Sequence, residues 1–325
     1  MKSSKQHSLI IVTPVFEDIE ASSLLFKEIS TQFGHEVFVI AVDDGSLEQP
    51  LKISSLENAG LDGVILKLKR NLGHQRAIAI GLSYVSENIK PEQSLIIMDS
   101  DGEDLPSTIP YLLSELKSPD LDVVVSRRKS RVETIRFKFF YALYKLFFTI
   151  MTGRMIEFGN FMALKASAVK RLVIMQELSI HLAGAVLASK LRIKICPLHR
   201  GPRYAGQSKM NFVGLVLHGF KGLMVFAEDV LVRVGIACAF IGIISVLCTF
   251  AVFALKLFGI STPGWFSVAL GLLFLIFLQM IVLAIMTLMM LMLAGIIRGG
   301  VVTKIMPYTD FIEEIIKTKN ISIKS

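Results

Sequence analysis

The sequence predicts an α/β sandwich with a mostly parallel sheet, followed by juxtamembrane amphipathic helices and a two-helix transmembrane hairpin. Three observations predict it. Short, near-continuous apolar runs alternate with helix-periodic stretches over residues 8–126. A basic, aromatic-rich segment follows around residues 127–145. Two long uncharged stretches then occupy most of the chain after Arg233.

The composition agrees. Of the 325 residues, 53% are hydrophobic, and the mean hydropathy of +0.60 is too high for an ordinary water-soluble domain. Yet 19% are charged, too many for a chain lying wholly in lipid. The same figures exclude a disordered or collagenous chain, and three cysteines without metal or disulfide spacing exclude a stapled scaffold.

The predicted strands are Leu9-Ile10-Ile11-Val12, Val37 to Val42, Gly63 to Leu66, Leu95 to Met98 and Val123 to Val125. Runs apolar on both alternating faces suit strands covered on both sides, the mark of a parallel sheet. Glu20 to Phe33 and Gln75 to Ser86 carry helical periodicity between them. The basic start Met1-Lys2-Ser3-Ser4-Lys5 precedes an apolar run too short for a signal peptide, so Leu9 to Val12 reads as a strand.

Ligands of such sheets bind beyond the carboxyl ends of the strands. Asp43-Asp44-Gly45-Ser46 ends the second predicted strand and Asp99-Ser100-Asp101 the fourth. Carboxylates at 99 and 101 can both face one cation, and hard oxygen donors suit Mg²⁺ or Mn²⁺ completed by substrate phosphate. Neither G-x-G-x-x-G nor a Walker A sequence follows the first strand, which argues against a dinucleotide or P-loop site.

Between residues 127 and 145 stand seven basic side chains (Arg127, Arg128, Lys129, Arg131, Arg136, Lys138, Lys145) and one acid, Glu133, interleaved with aromatics. Residues 190–209 add six more basic side chains and no acid. This pattern reads as a helix lying in a membrane interface, with Met210 to Asp229 a second such helix. Two spans beside the basic residues make nucleic acid an improbable partner.

Val234 to Leu255 is a 22-residue uncharged stretch, and Leu257 to Ile297 another of 41, interrupted only by Ser261-Thr262-Pro263-Gly264. A bilayer core needs about 20 apolar residues, so these are two spans. Trp265 and Phe266 resemble an interfacial anchor. Trp265 to Ile297 would reach roughly 50 Å at 1.5 Å per residue, longer than the hydrocarbon core, so it should tilt or project. Lys221 and Arg233 before the hairpin, with Arg298 and Lys304 after it, outnumber Lys256 in the loop and put both termini in the cytoplasm. Gly295 to Gly299 and the small residues of the first span permit a homo-oligomer. The expected boundaries are 1–132 for a nucleotide-sugar-binding core, 133–229 for an acceptor-side region, 230–299 for the spans and 300–325 for a cytoplasmic tail.

Several ordered motifs together resemble inverting GT-A glycosyltransferases of family 2, in the polyprenyl-phosphate branch that contains dolichol-phosphate mannose synthase. Thr13-Pro14-Val15-Phe16-Glu17-Asp18 resembles that family's opening P-V-Y-N-E, with Phe16, Glu17 and Asp18 standing for its last three residues. Val42-Asp43-Asp44-Gly45-Ser46 matches V-D-D-G-S, and Arg70-Asn71-Leu72-Gly73-His74 resembles R-N-x-G-h. Asp99 to Pro106 resembles D-x-D-L-Q-D-P-P with Glu103 replacing the glutamine. Arg200, Arg203, Gly206, Ser208 and Lys209 fit R-x-x-R-x-x-G-x-S-K, and Gly159-Asn160-Phe161 stands where G-D-F is expected.

The resemblance implies a GT-A Rossmann-like sandwich with the following site. Pro14, Phe16, Asp18, Asp44, Asn71, His74, Asp99, Arg203, Ser208 and Lys209 would bind the nucleotide-sugar. Asp99 and Asp101 would hold Mg²⁺ or Mn²⁺. Arg128, Arg131 and Arg200 would meet the acceptor phosphate, and Asp101, Asp104, Arg128 and Arg131 would be catalytic. The implied reaction moves one sugar, a hexose, from a UDP-type donor to a polyprenyl phosphate at the cytoplasmic face of a bacterial inner membrane. Two alternatives stay open at this point. One is a scaffold that keeps the fold without activity, suggested by Glu17, Glu103 and Asn160. The other is a glycosyltransferase using a lipid hydroxyl, with Asp104 as base. His74 and His181 read as polar ligands or as satisfied structural histidines.

Overall fold

The computed structural model describes residues 7–128, 135–205, 212–260, 262, 264–299 and 307–319. The chain divides into two compact units. One contains every strand found among the described residues. The other, residues 140–155 and 226–305, contains the long apolar helices.

In the first unit eight strands form one sheet in the order β7-β5-β6-β4-β1-β2-β3-β8. The five runs anticipated from the sequence are β1 (Leu9–Val15), β2 (Val37–Asp43), β3 (Asp62–Leu68), β4 (Ser94–Ile97) and β5 (Val123–Arg128). β1 pairs in parallel with β2 and β4, and β2 with β3. Three further strands were not anticipated: β6 (Met162–Lys165), β7 (Ile193–Leu198) and β8 (Ile312–Lys317). β6 runs antiparallel between β4 and β5, and β8 antiparallel along β3, while β7 is parallel to β5.

These strands fall across the expected boundaries. The sheet does not close at residue 132, because β6 and β7 fall inside the expected acceptor-side region. Nor is 300–325 simply a tail, because β8 completes the β3 edge. The physical reason is plain in the residues. β6 is only four residues long, and β7 (IKICPL) and β8 (IEEIIK) are edge strands that mix exposed charged and exposed apolar side chains without strict alternation.

Burial on both sheet faces follows the alternation of each strand. Ile10 and Val12 pack on one side with α3 (His74–Ser86), α6 (Ala166–Leu172) and α7 (Leu182–Ala188). Leu9 and Ile11 pack on the other with α1 (Ile19–Phe33), α2 (Ile53–Asn58) and α4 (Ile109–Leu116). Gly81 lets α3 approach closely, since a Cβ there would lie 2.6 Å from Val12 Cγ1. The remaining helices are α5 (Ile135–Thr152), α8 (Phe212–Val225), α9 (Ala227–Leu257) and α10 (Trp265–Gly299).

In the second unit, α9 and α10 are both long and apolar enough to cross a membrane. They contain the stretches expected to span. Ser245 Oγ donates to the Leu273 carbonyl at 2.9 Å across the helix pair, and Lys256 Nζ lies 3.9 Å above the Phe266 ring. The helix expected over Met210 to Asp229 is interrupted. Phe226 leaves helical geometry (φ −109°, ψ 30°), so Glu228 and Asp229 become first-turn acids of α9, where the helix dipole favours them.

Candidate functional site

β1, β2 and β4 are adjacent and parallel, so the loops after them emerge at one edge of the sheet. Asp43 closes its own turn: Ser46 and Leu51 donate backbone N–H to its two carboxylate oxygens at 3.0 and 2.8 Å. Asp44 ties that turn to the segment before α3, accepting from Leu72 N–H at 2.7 Å and Gly73 N–H at 2.9 Å. Burial pushes the Asp44 carboxyl above its ordinary value, against the pull of those two donors. Gly45 makes the contact feasible. Its φ is +70°, and a Cβ would lie 2.4 Å from the Arg70 carbonyl carbon.

Glu17, which the sequence marked only as a departure, clamps the same loop from the β1 side. Its carboxylate accepts backbone N–H from Leu47 at 2.6 Å, Glu48 at 3.1 Å and Gln49 at 2.6 Å, while its own N–H donates to Ser46 Oγ at 2.8 Å. A side-chain amide would put a second kind of atom where this loop requires only acceptors. The residue fits its surroundings.

The loop after β4 carries the main acidic group. Asp99 donates its N–H to Asp104 Oδ2 at 3.1 Å, and Asp101 Oδ1 accepts from Glu103 N–H at 3.0 Å. His74 Nε2 stands 3.1 Å from Asp99 Oδ1. Burial works against both charges of that pair, but each stabilises the other: His74 is held above its ordinary value, and Asp99, with Arg200 and Arg203 nearby, below its own. Burial and the adjacent Asp99 charge raise Asp101. The same two causes raise Asp104, only 1% exposed, to about 7.

Asn160 sits beside this group: its Nδ2 is 2.9 Å from His74 Nε2, and its Oδ1 accepts from Gln75 Nε2 at 3.1 Å. Gln75 is anchored in turn by the Leu182 N–H at 2.6 Å. Farther along, Gly184 N–H donates to His181 Nδ1 at 3.0 Å, which places the His181 proton on Nε2, facing His218 Nε2 at 3.2 Å. His181 therefore caps α7, the structural role, and burial holds it neutral, with a pKa of about 3.

Three arginines close over the acids. Arg203 Nη2 reaches Asp101 Oδ2 at 2.6 Å and Arg200 Nη2 lies 3.4 Å from Asp104 Oδ1. Arg128 and Arg200 both donate to Glu103 Oε2, the former at 2.9 Å. The Arg200–Tyr204 segment is laid along the acidic loop by two backbone bonds, Gly201 N–H to the Glu103 carbonyl at 3.0 Å and Tyr204 N–H to the Asp101 carbonyl at 2.9 Å. The Tyr204 ring covers Gly102, where a Cβ would lie 2.4 Å from ring carbon, and its hydroxyl donates to Glu28 on α1. Neither Tyr204 nor Gln75 carried a sequence signal, because each acts through a contact distant along the chain.

Asp44, His74, Asp99, Asp101, Asp104, Arg128, Arg200 and Arg203 are thus drawn into one connected group. Pro14 is buried in β1, Phe16 is 39% exposed just beyond it, and Asn71 is exposed in the loop that Asp44 holds. Asp18 caps α1 through its backbone carbonyl alone, its carboxylate making no cap hydrogen bond. Arg131, Ser208 and Lys209 lie outside the described residues.

Among the described residues no three His, Cys, Asp or Glu side chains converge as a ligand set. Asp99 and Asp101 nevertheless suit a hard divalent ion that draws its remaining ligands from substrate and water. The buried Asp99 Oδ1 already faces a cationic partner, His74 Nε2 at 3.1 Å, and a hard divalent ion suits the same oxygen.

Residues 11–172 match glycosyl transferase family 2. A glycosyltransferase of Synechocystis sp. is 26% identical over 82% of this chain and 85% of its own length. One of Bacillus subtilis is 25% identical over 79% and 80%. An undecaprenyl-phosphate 4-deoxy-4-formamido-L-arabinose transferase of Enterobacter sp. is 27% identical over 65% of this chain, which spans 64% of that relative's length. Among solved structures, glucosyl-3-phosphoglycerate synthase from Mycobacterium tuberculosis aligns with a TM-score of 0.48 at 16% identity, over 70% of this chain and 79% of its own.

Proposed function

With residues 11–172 a glycosyl transferase family 2 domain, the chain is a glycosyltransferase, and we propose that it moves a single hexose from a UDP-sugar to a polyprenyl phosphate with inversion. The observation that carries this reading is the interleaving of Arg128, Arg200 and Arg203 with the acidic loop Asp99–Asp104 at the carboxyl edge of the sheet. Such a surface can receive two anionic groups and neutralise both around one carbon. The name of the Enterobacter relative points to the same acceptor class.

The chain's own residues would act as follows. Asp44 and Glu17 hold the loops that frame the nucleotide, and Phe16 offers an apolar face beside them. Arg203 neutralises the donor diphosphate. Arg128 and Arg200, with Arg131, present the acceptor. A phosphate monoester with a second pKa of about 6 is largely a dianion at neutral pH, so the attacking oxygen needs orientation rather than deprotonation. That removes the objection raised by Asn160 in place of an aspartate. Asp99 and Asp101 would hold Mg²⁺ or Mn²⁺, which supplies positive charge to the leaving diphosphate.

A lipid-hydroxyl acceptor would need Asp104 as its base. Its pKa of about 7 suits the task, but a carboxyl only 1% exposed and turned onto Asp99 N–H is poorly placed to meet a bulky lipid. The intact charge lattice argues against an inactive scaffold. For topology, strands precede and follow α9 and α10 yet share one sheet, which supports an even number of crossings, and Lys221, Arg233, Arg298 and Lys304 flanking the pair support a cytoplasmic catalytic unit. Incubating the purified protein with UDP- and GDP-sugars, polyprenyl phosphate and Mg²⁺ or Mn²⁺, then weighing the lipid product by mass spectrometry, tests the reading. Transfer to polyprenol offered in place of the phosphate, or no lipid product from any donor, would refute it.

A further inference from the structure

Glu103 is the point at which the acidic loop and both basic segments are joined. Its Oε2 takes Arg128 Nη2 at 2.9 Å together with Arg200 Nη1, and its Oε1 stands 3.4 Å from Arg203 Nε. That Nε–H is buried and donates no hydrogen bond. The backbone fixes Glu103 on both sides, through its N–H to Asp101 Oδ1 and its carbonyl to Gly201 N–H, both at 3.0 Å. One carboxylate is therefore surrounded by three guanidinium groups and rigidly mounted.

A carboxylate and a phosphate monoester offer the guanidinium fork the same pair of acceptor oxygens. Without a competing anion, Arg200 and Arg203 would be drawn wholly onto Asp104 and Asp101, with which they already pair at 3.4 and 2.6 Å. We propose that Glu103 is a positioning residue, an internal anion that holds Arg128, Arg200 and Arg203 open and yields Arg128 and Arg200 to the acceptor phosphate. The inference rests on the reading that the acceptor carries a phosphate. It assigns the residue a function that a neutral glutamine could not perform, because an amide oxygen lacks the charge to hold three cations.

The test uses the full chain in nanodiscs of zwitterionic lipid, with a short-chain prenyl monophosphate and the matching prenyl alcohol as probes. Glu103→Gln removes the charge that holds the guanidinium groups off Asp101 and Asp104, so it should bind the monophosphate about tenfold more weakly and kcat should fall with it. Glu103→Asp should restore wild-type affinity. Unchanged or tighter binding by Glu103→Gln would overturn the proposal while leaving the acceptor reading intact. Wild-type protein that binds the monophosphate no better than the alcohol would overturn both. Should Glu103→Gln fail to fold, carbodiimide labelling of Glu103 in wild-type protein decides the matter: it should rise when the monophosphate is added, and a constant level refutes the exchange.

Discussion

Gly45→Ala isolates how much the Asp44 tie is worth. Gly45 has φ +70° and Gly60 φ +73°, so alanine at either carries a similar left-handed strain of about 1–2 kcal/mol. Their surroundings differ. At Gly60 the nearest atom to a new Cβ is Ser30 Oγ at 4.0 Å, whereas at Gly45 the Arg70 carbonyl carbon is at 2.4 Å and Asn71 N at 2.5 Å. Ordinary carbon contacts begin near 3.5 Å, so the Arg70–Asn71 backbone must retreat by about 1 Å. That stretches the Asp44 bonds to Leu72 and Gly73, now 2.7 and 2.9 Å, beyond hydrogen-bonding range. Two charge-assisted bonds at about 1.5 kcal/mol or more each give a local loss near 3 kcal/mol beyond that of Gly60→Ala. Amide exchange at Leu72 and Gly73 should quicken about a hundredfold in Gly45→Ala and change little in Gly60→Ala. Equal exchange in the two variants would refute the reasoning.

Four further outcomes are expected. Asp101→Ala should abolish metal-stimulated transfer, and normal wild-type turnover in EDTA would remove the ion from the mechanism. Arg203→Ala should weaken binding of the UDP-sugar by about tenfold or more, the worth of a charged hydrogen bond, with titration of each substrate as the check. Asn160→Ala should retain measurable transfer, whereas complete loss in a folded protein that still binds both substrates would reinstate a base. His181 is neutral when folded, with a pKa of about 3, but has an ordinary value of 6.5 when unfolded. The unfolded chain therefore binds more protons between those values, and stability should fall as pH drops through that window, by up to about 1.4 kcal/mol per pH unit. His181→Asn keeps an acceptor for Gly184 N–H and should flatten the decline, read from unfolding midpoints between pH 7 and 4.5; a parallel decline would assign it to other groups.

The legible parts of this protein were those written in local pattern. β1 to β5 are apolar runs, and α9 and α10 are uncharged stretches, so both could be read directly. β6 and β8 could not, since neither four residues nor the non-alternating run I-E-E-I-I-K carries a strand periodicity. The site divides the same way. Asp44, Asp99 and Asp101 lie at strand ends, where their position alone suggested a ligand. Glu17 and Tyr204 act on partners 30 or more residues away, Glu17 on the Leu47–Gln49 amides and Tyr204 on Glu28. Glu17 read as a flaw in a motif because its three donors come from a loop that only the folded sheet brings near.

β8 has a further consequence for how the protein is made. Its partner strand β3 is synthesised some 245 residues earlier, with both apolar helices emerging from the ribosome in between. During translation the flank of β3 must stay bare until the hydrophobic pair has been handed to its final environment, a long interval in which an unpaired ladder invites wrong partners. Shortening the chain ahead of Ile312 would make that interval permanent.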